Sequence, residues 1–168
     1  MPAVLKRDKT IPLKFTPGTI LVLKPAPLAK PPASFKFALG LYNEKGDVLL
    51  LIEFSPGHVV FYDRARRSLG EGYGEERKVN TTNMDLKGRS LLDVKVSIHH
   101  YLSDSEFGGY QILFNGITIA HFKKRLPGLA TKISYFQGTD RVPPSWDVDV
   151  YQIDDILPED RLALVPRR

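Results

Sequence analysis

The 168-residue chain contains no cysteine, one tryptophan and two methionines. Without cysteine there are no disulfides, no thiolate metal sites and no cysteine nucleophile, and the redox compartment stays open. No apolar run approaches the roughly 18 residues that a membrane-spanning helix needs; the stretch LVLK at 21–24 falls far short. No membrane insertion is therefore expected. The N-terminal stretch places charge at Lys6, Arg7, Asp8 and Lys9 with no apolar segment behind it. That argues against a cleaved secretory signal, although the mature form of a processed chain would read the same.

Catalytic signatures are missing too. There is no Gly-x-Ser-x-Gly, P-loop or His-Glu-x-x-His. Sandwich glycosidases hold two carboxylates on one strand face, about 5–5.5 Å or about 6.5–9.5 Å apart. Here Glu75 and Glu76 are adjacent and face opposite ways, and Asp147 and Asp149 share a face only near the end of the chain. His99 and His100 are adjacent, so a strand would send them to opposite faces and deny a metal both at once. His58 and His121 are single. The expectation is a non-enzyme that needs no cofactor and no metal.

Charge is present but scattered. Lysine and arginine number 24 against 19 acidic residues, for a net charge of +5. Lys6-Arg7, Arg64/Arg66/Arg67, Lys123-Lys124-Arg125 and Arg167-Arg168 are spread along the chain, with no helix to gather them. This reads as a solvated basic surface and not as a nucleic-acid interface.

The dominant pattern is period-two alternation of apolar and polar residues. It predicts strands at Ile20–Lys24, Ser34–Leu39, Val48–Phe54, His58–Tyr62, Glu76–Val79, Leu92–His99, Tyr110–Phe114, Ile117–Phe122, Thr131–Phe136 and Asp147–Ile153. Turn signals separate them, among them Pro17-Gly18, Pro56-Gly57, Lys87-Gly88 and Gly108-Gly109. About ten short strands so punctuated indicate an all-β antiparallel sandwich or barrel. Helix is expected only as one turn around Leu126–Ala130. The proline-rich stretch from Pro25 to Pro32 cannot continue a central strand and reads as an extended loop. Length implies one domain over 1–168, with a loose tail from about 158.

The clearest local signal is Tyr110 to Pro127, YQILFNGITIAHFKKRLP. Asn115-Gly116 suits a two-residue type I′ turn, whose central residues both take positive φ. That register sets Phe114 opposite Ile117, Ile112 opposite Ile119 and Tyr110 opposite His121. One face then carries Tyr110, Ile112, Phe114, Ile117 and Ile119, which demands a second layer.

With its Phe122-Lys123-Lys124-Arg125-Leu126-Pro127 ending, this hairpin resembles the galectin family of β-galactoside lectins. Pro17-Gly18-Thr19-Ile20-Leu21, Ser34-Phe35-Lys36-Phe37-Ala38-Leu39-Gly40 and Gly46-Asp47-Val48-Leu49-Leu50-Leu51 are similar to further family segments in the same order. Asp147-Val148-Asp149-Val150 resembles the terminal strand of fungal galectins. The resemblance implies a galectin-like, concanavalin-like jelly-roll sandwich of two sheets and about ten to twelve strands, with a ligand groove across the concave one. It also implies homo-oligomers and a cytoplasmic location, with any export independent of a signal peptide.

A galactoside offers an apolar C–H patch and a rim of hydroxyls, so it calls for an aromatic platform and several polar side chains. Galectins supply His, Asn or Ser, and Arg at alternate positions of one strand, an Asn on the next, then a Trp followed by Glu-x-Arg. On the fungal pattern the first three fall on Leu51, Glu53 and Ser55; on the animal pattern they fall on Glu53, Ser55 and Gly57. Both lose the histidine and the arginine. The next Asn position falls on Tyr62. Glu75-Glu76-Arg77 keeps the Glu-x-Arg spacing. The Trp position falls on Gly72 by rigid counting, or on Tyr73 after one deletion, while Trp146 reads as core.

The resemblance therefore implies a carbohydrate-binding site of Glu75, Arg77, Tyr73, Tyr62, Glu53 and Ser55, with a glycan specificity altered from simple β-galactosides. Each residue has a plainer role as well. Glu75 and Arg77 could form a surface ion pair, Tyr62 could fill the edge of the core, and Glu53 needs a partner, with Arg64, Arg66 or Arg77 at hand. The alternative for the whole chain is a galectin-fold protein-interaction or oligomerisation module that has lost sugar binding.

Overall fold

Alternating sequence becomes alternating structure in twelve strands, and no helix occurs among the described residues. The structure is a computed structural model that describes residues 3–6, 8–25, 35–64, 76–81, 94–102, 108–137 and 147–153. The strands are β1 (Ala3–Leu5), β2 (Lys9–Phe15), β3 (Ile20–Pro25), β4 (Phe37–Tyr42), β5 (Val48–Ser55) and β6 (His58–Arg64). They continue as β7 (Glu76–Asn80), β8 (Val96–Tyr101), β9 (Gly109–Phe114), β10 (Ile117–Lys123), β11 (Ala130–Gln137) and β12 (Val148–Ile153). The first sheet runs β1-β12-β3-β8-β9-β10 and the second β2-β11-β4-β5-β6-β7, with every pairing antiparallel.

Ten predicted strands are present with shifted ends, and β1 and β2 are additions. β2 carries Ile11, Leu13 and Phe15 at period two, all packed on the core. Pro12 disguises that pattern. It is tolerated because β2 lies at a sheet edge, where a missing donor costs no ladder bond. The expected helical turn at 126–130 is absent: Gly128 takes φ of +91°, and β11 begins at Ala130. The Pro25–Pro32 loop beyond Pro25, the Lys87-Gly88 turn, Trp146 and the tail from 158 lie outside the described residues.

The core lies between the sheets. Phe37 stacks on Phe54 at 4.5 Å, Phe54 on Phe114 at 5.8 Å, and Phe15 on Tyr110 at 6.0 Å, so rings from both sheets interlock. Each fully buried large side chain contributes about 1.5–3 kcal/mol of transfer free energy.

The Asn-Gly turn forms as expected, with Asn115 at φ 50° and Gly116 at φ 85°, and Phe114 faces Ile117. A bulge between Thr118 and Ala120 then changes the register. Ile112 faces Ala120, Gln111 faces His121 and Tyr110 faces Phe122. One extra residue reverses which side chains beyond it point inward, so Ala120 and Phe122 enter the core; Ile117, ahead of the bulge at the turn, is 48% exposed.

The basic segment after β10 is structural. Arg125 Nε donates to Asp63 Oδ2 at 2.7 Å and its Nη2 donates to Oδ1, a forked pair onto a carboxylate only 2% exposed. Lys124 is buried, donates Nζ to the Leu126 carbonyl at 2.7 Å, and has its pKa lowered by desolvation. The segment thus clasps the end of β10 to β6 across the sandwich.

Candidate functional site

The second sheet turns one face to the core and leaves the other open. On β5, Leu50, Ile52 and Phe54 belong to the core cluster. Leu51, Glu53 and Ser55 alternate with them and so lie on the open face. Register carries this face across the sheet. Gly40, Leu51, Tyr62 and Glu76 form one row; Ala38, Glu53, Val60 and Lys78 form the next; Ser55, His58 and Asn80 form a third.

Glu53, Ser55 and Tyr62 therefore share a face, as expected, and all three are half-buried. Lys36 Nζ lies 3.6 Å from Glu53 Oε1, an ion partner that the sequence reading did not name; of the arginines it did name, Arg66 and the Arg77 side chain lie outside the described residues. Leu51 is only 3% exposed although it faces away from the core. A Cβ on Gly40 would meet Tyr42 Oη at 3.0 Å and Leu51 Cδ1 at 3.2 Å. The Tyr42 and Leu51 side chains thus both crowd the space over Gly40, which only a glycine leaves open.

On β7 the phase differs from the expected one. Arg77 pairs with Phe61, in the row whose described neighbours fill the core, whereas Glu76 pairs with Tyr62 and Lys78 with Val60. The open-face rows thus contain Glu76-x-Lys78. Glu75, Tyr73 and Gly72 lie outside the described residues. Four consecutive charged residues, Glu75-Glu76-Arg77-Lys78, carry no hydrophobic alternation to fix the phase, so register had to come from the neighbouring strand. Lys78, Lys36 and the Gly40–Tyr42 pair escaped the sequence reading; the signal was Ala38 and Gly40, small residues at alternate positions.

Nothing else among the described residues suggests chemistry. No group of three or more His, Asp or Glu is placed to hold a metal among them. His100 packs inward on Tyr110 at 5.1 Å and His99 lies near Tyr101 at 6.2 Å, on opposite faces as expected. An open cleft of about 450 Å³ lies at the β4–β5 turn, lined by Asn43, Glu44, Lys45, Pro127, Gly128, Leu129 and Thr131. Its Asn43 amide is already committed, donating to Asp47 Oδ2 at 2.9 Å and to the Pro127 carbonyl at 3.0 Å. This is a strap between turns, away from the open-face rows.

No protein-family model and no curated protein matches the chain. Solved structures do. Caenorhabditis elegans galectin LEC-6 is 20% identical, with 86% of this chain and 87% of that one covered and a TM-score of 0.57. A double variant of human galectin-16 is 16% identical over 88% and 96%, with a TM-score of 0.62. A tetrameric galectin from the ball sponge Cinachyrella is 19% identical over 85% and 94%, with a TM-score of 0.58. The fold is the galectin fold. At these identities the likeness is one of architecture, and it agrees with the sandwich that strand alternation predicts.

Proposed function

We propose that the protein is a galectin-fold lectin that takes a glycan other than a simple β-galactoside on the open face of its second sheet. One observation carries this: Tyr62 stands in register with Leu51 and Glu76, beside the Glu53–Val60–Lys78 row. An aromatic ring beside charged groups suits a sugar, with its C–H face on the ring and its hydroxyls at the rim. By spacing along the sequence, Glu76 and Lys78 would serve as the Glu-x-Arg pair, with lysine in place of arginine.

Lactose is disfavoured. Hydrogen bonds to charged groups contribute about 1.5–3 kcal/mol each, and millimolar affinity needs only about 4 kcal/mol. Replacing the family's histidine and arginine removes enough to abolish ordinary galactoside recognition. Leu51, apolar at one of the positions where the resemblance expects a polar residue, is the observation behind a second reading, in which the face meets protein and not sugar.

A glycan array of wild type, Tyr62→Ala and Lys78→Ala tests the proposal, with thermal melts as the folding control. Binding by wild type that both variants lose at unchanged Tm supports the lectin. Folded wild type that binds no glycan supports the interaction module. Self-association belongs to either reading and is measured by light scattering.

A further inference from the structure

We infer that the open face of β5–β7 recognises an anionic saccharide, sulfated or carboxylated; this rests on the lectin reading and names its ligand class. From sequence, two pulls oppose each other: Glu53 repels anions and the basic residues after Tyr62 attract them. The structure weighs them. Lys36 lies 3.6 Å from the Glu53 carboxylate on the same side of the sheet, so an approaching ligand meets a neutralised pair. Beyond that pair the open face carries Arg64, two positions along β6 from Tyr62, Lys78 opposite Val60, and Lys132 opposite Tyr42. Against these cations the register of the described strands sets one further carboxylate position, Glu76.

Neutral recognition is weakened in the same place. Leu51, one of the alternative positions for the family's histidine, is buried and offers no polar side-chain atom to a hydroxyl. The site has exchanged hydroxyl partners for positive charge. Guanidinium and ammonium groups form short, charge-assisted hydrogen bonds to sulfate or carboxylate oxygens, and arginine does so in a bidentate fork. The chain's net charge of +5 adds long-range attraction. An exposed ammonium such as Lys78 acts through a screened field, so binding should weaken steeply with salt.

The test presents the full chain with four probes: a sulfated glycosaminoglycan hexasaccharide, a sialylated oligosaccharide, the desulfated and desialylated counterparts, and a short DNA duplex. Lys78→Glu is compared with Lys123→Glu, a charge-matched change at an exposed position of β10 in the other sheet. One anionic saccharide should bind about ten-fold tighter than its neutral counterpart, the scale of one charge-assisted contact. Lys78→Glu should lose that advantage and Lys123→Glu should keep it, while the two anionic arms tell sulfate from carboxylate. Neutral counterparts bound equally well, in a manner abolished by Tyr62→Ala, overturn the inference and leave the lectin reading standing. A folded chain that binds no saccharide overturns both. Equal loss in the two lysine variants, or DNA bound as tightly, reduces the effect to a generally basic surface and also overturns it.

Discussion

Leu50, Ile52 and Phe54 of β5 are 0–1% exposed and belong to the core, while Glu53 and Ser55, one residue away, stand on an open face. The inward set interlocks with Phe37 and Phe114 and tolerates little change. The outward set carries an ion pair, a hydroxyl and a covered leucine, none of which the sandwich needs. A strand of period two thus keeps its architecture with one half of its residues and leaves the other half free to vary. That separation is how a galectin fold can persist at 15–20% identity to the solved galectins.

The largest effect that sharpens this contrast is Phe54→Ala, which should cost about 3–5 kcal/mol through the cavity it leaves, read in urea denaturation. Arg125→Ala should come close to it. It removes the forked partner of the Asp63 carboxylate at 2% exposure, and breaking a buried pair on one side typically costs about 3–5 kcal/mol.

Tyr110→Phe should go the other way and stabilise by about 1 kcal/mol, because a buried hydroxyl without a partner keeps its desolvation penalty. Tyr110 is 0% exposed and its hydroxyl finds no partner among the described residues. Burial also raises its pKa far above the ordinary tyrosine value. The folded state holds that proton more tightly than the unfolded chain does. Its contribution is therefore complete below pH about 10 and is lost as pH climbs beyond it. Alkaline melts of wild type should show the decline, and Tyr110→Phe should show a smaller one, since burial also raises the pKa of Tyr101.

Glu53→Gln should change stability least, by under about 1 kcal/mol, since partly exposed ion pairs contribute little. By releasing Lys36 it should tighten binding of an anionic glycan. If Glu53→Gln unfolds the chain as Phe54→Ala does, the division between the two halves of β5 fails.

Most of the fold was legible from alternation and turn chemistry, down to the positive φ values at Asn115-Gly116. The misses have local causes. Pro12 hid the Ile11–Leu13–Phe15 pattern, and the bulge at Ile119 exchanged His121 for Phe122 with no sequence mark. The site was half legible. Glu53, Ser55 and Tyr62 follow from strands whose apolar residues fix their phase. Arg77 does not, because a run of charged residues has no apolar face to set it, and the row of Glu76 and Lys78 emerges only from pairing with β6.

The most direct test follows backbone amide shifts by NMR while an anionic oligosaccharide that the chain binds is titrated in. The account predicts that the largest shifts fall at Glu53, Ser55, Val60, Tyr62 and Lys78. Shifts centred on Ile20, Val22 and Leu113 of the first sheet, or on the cleft of Asn43 and Leu129, would contradict it.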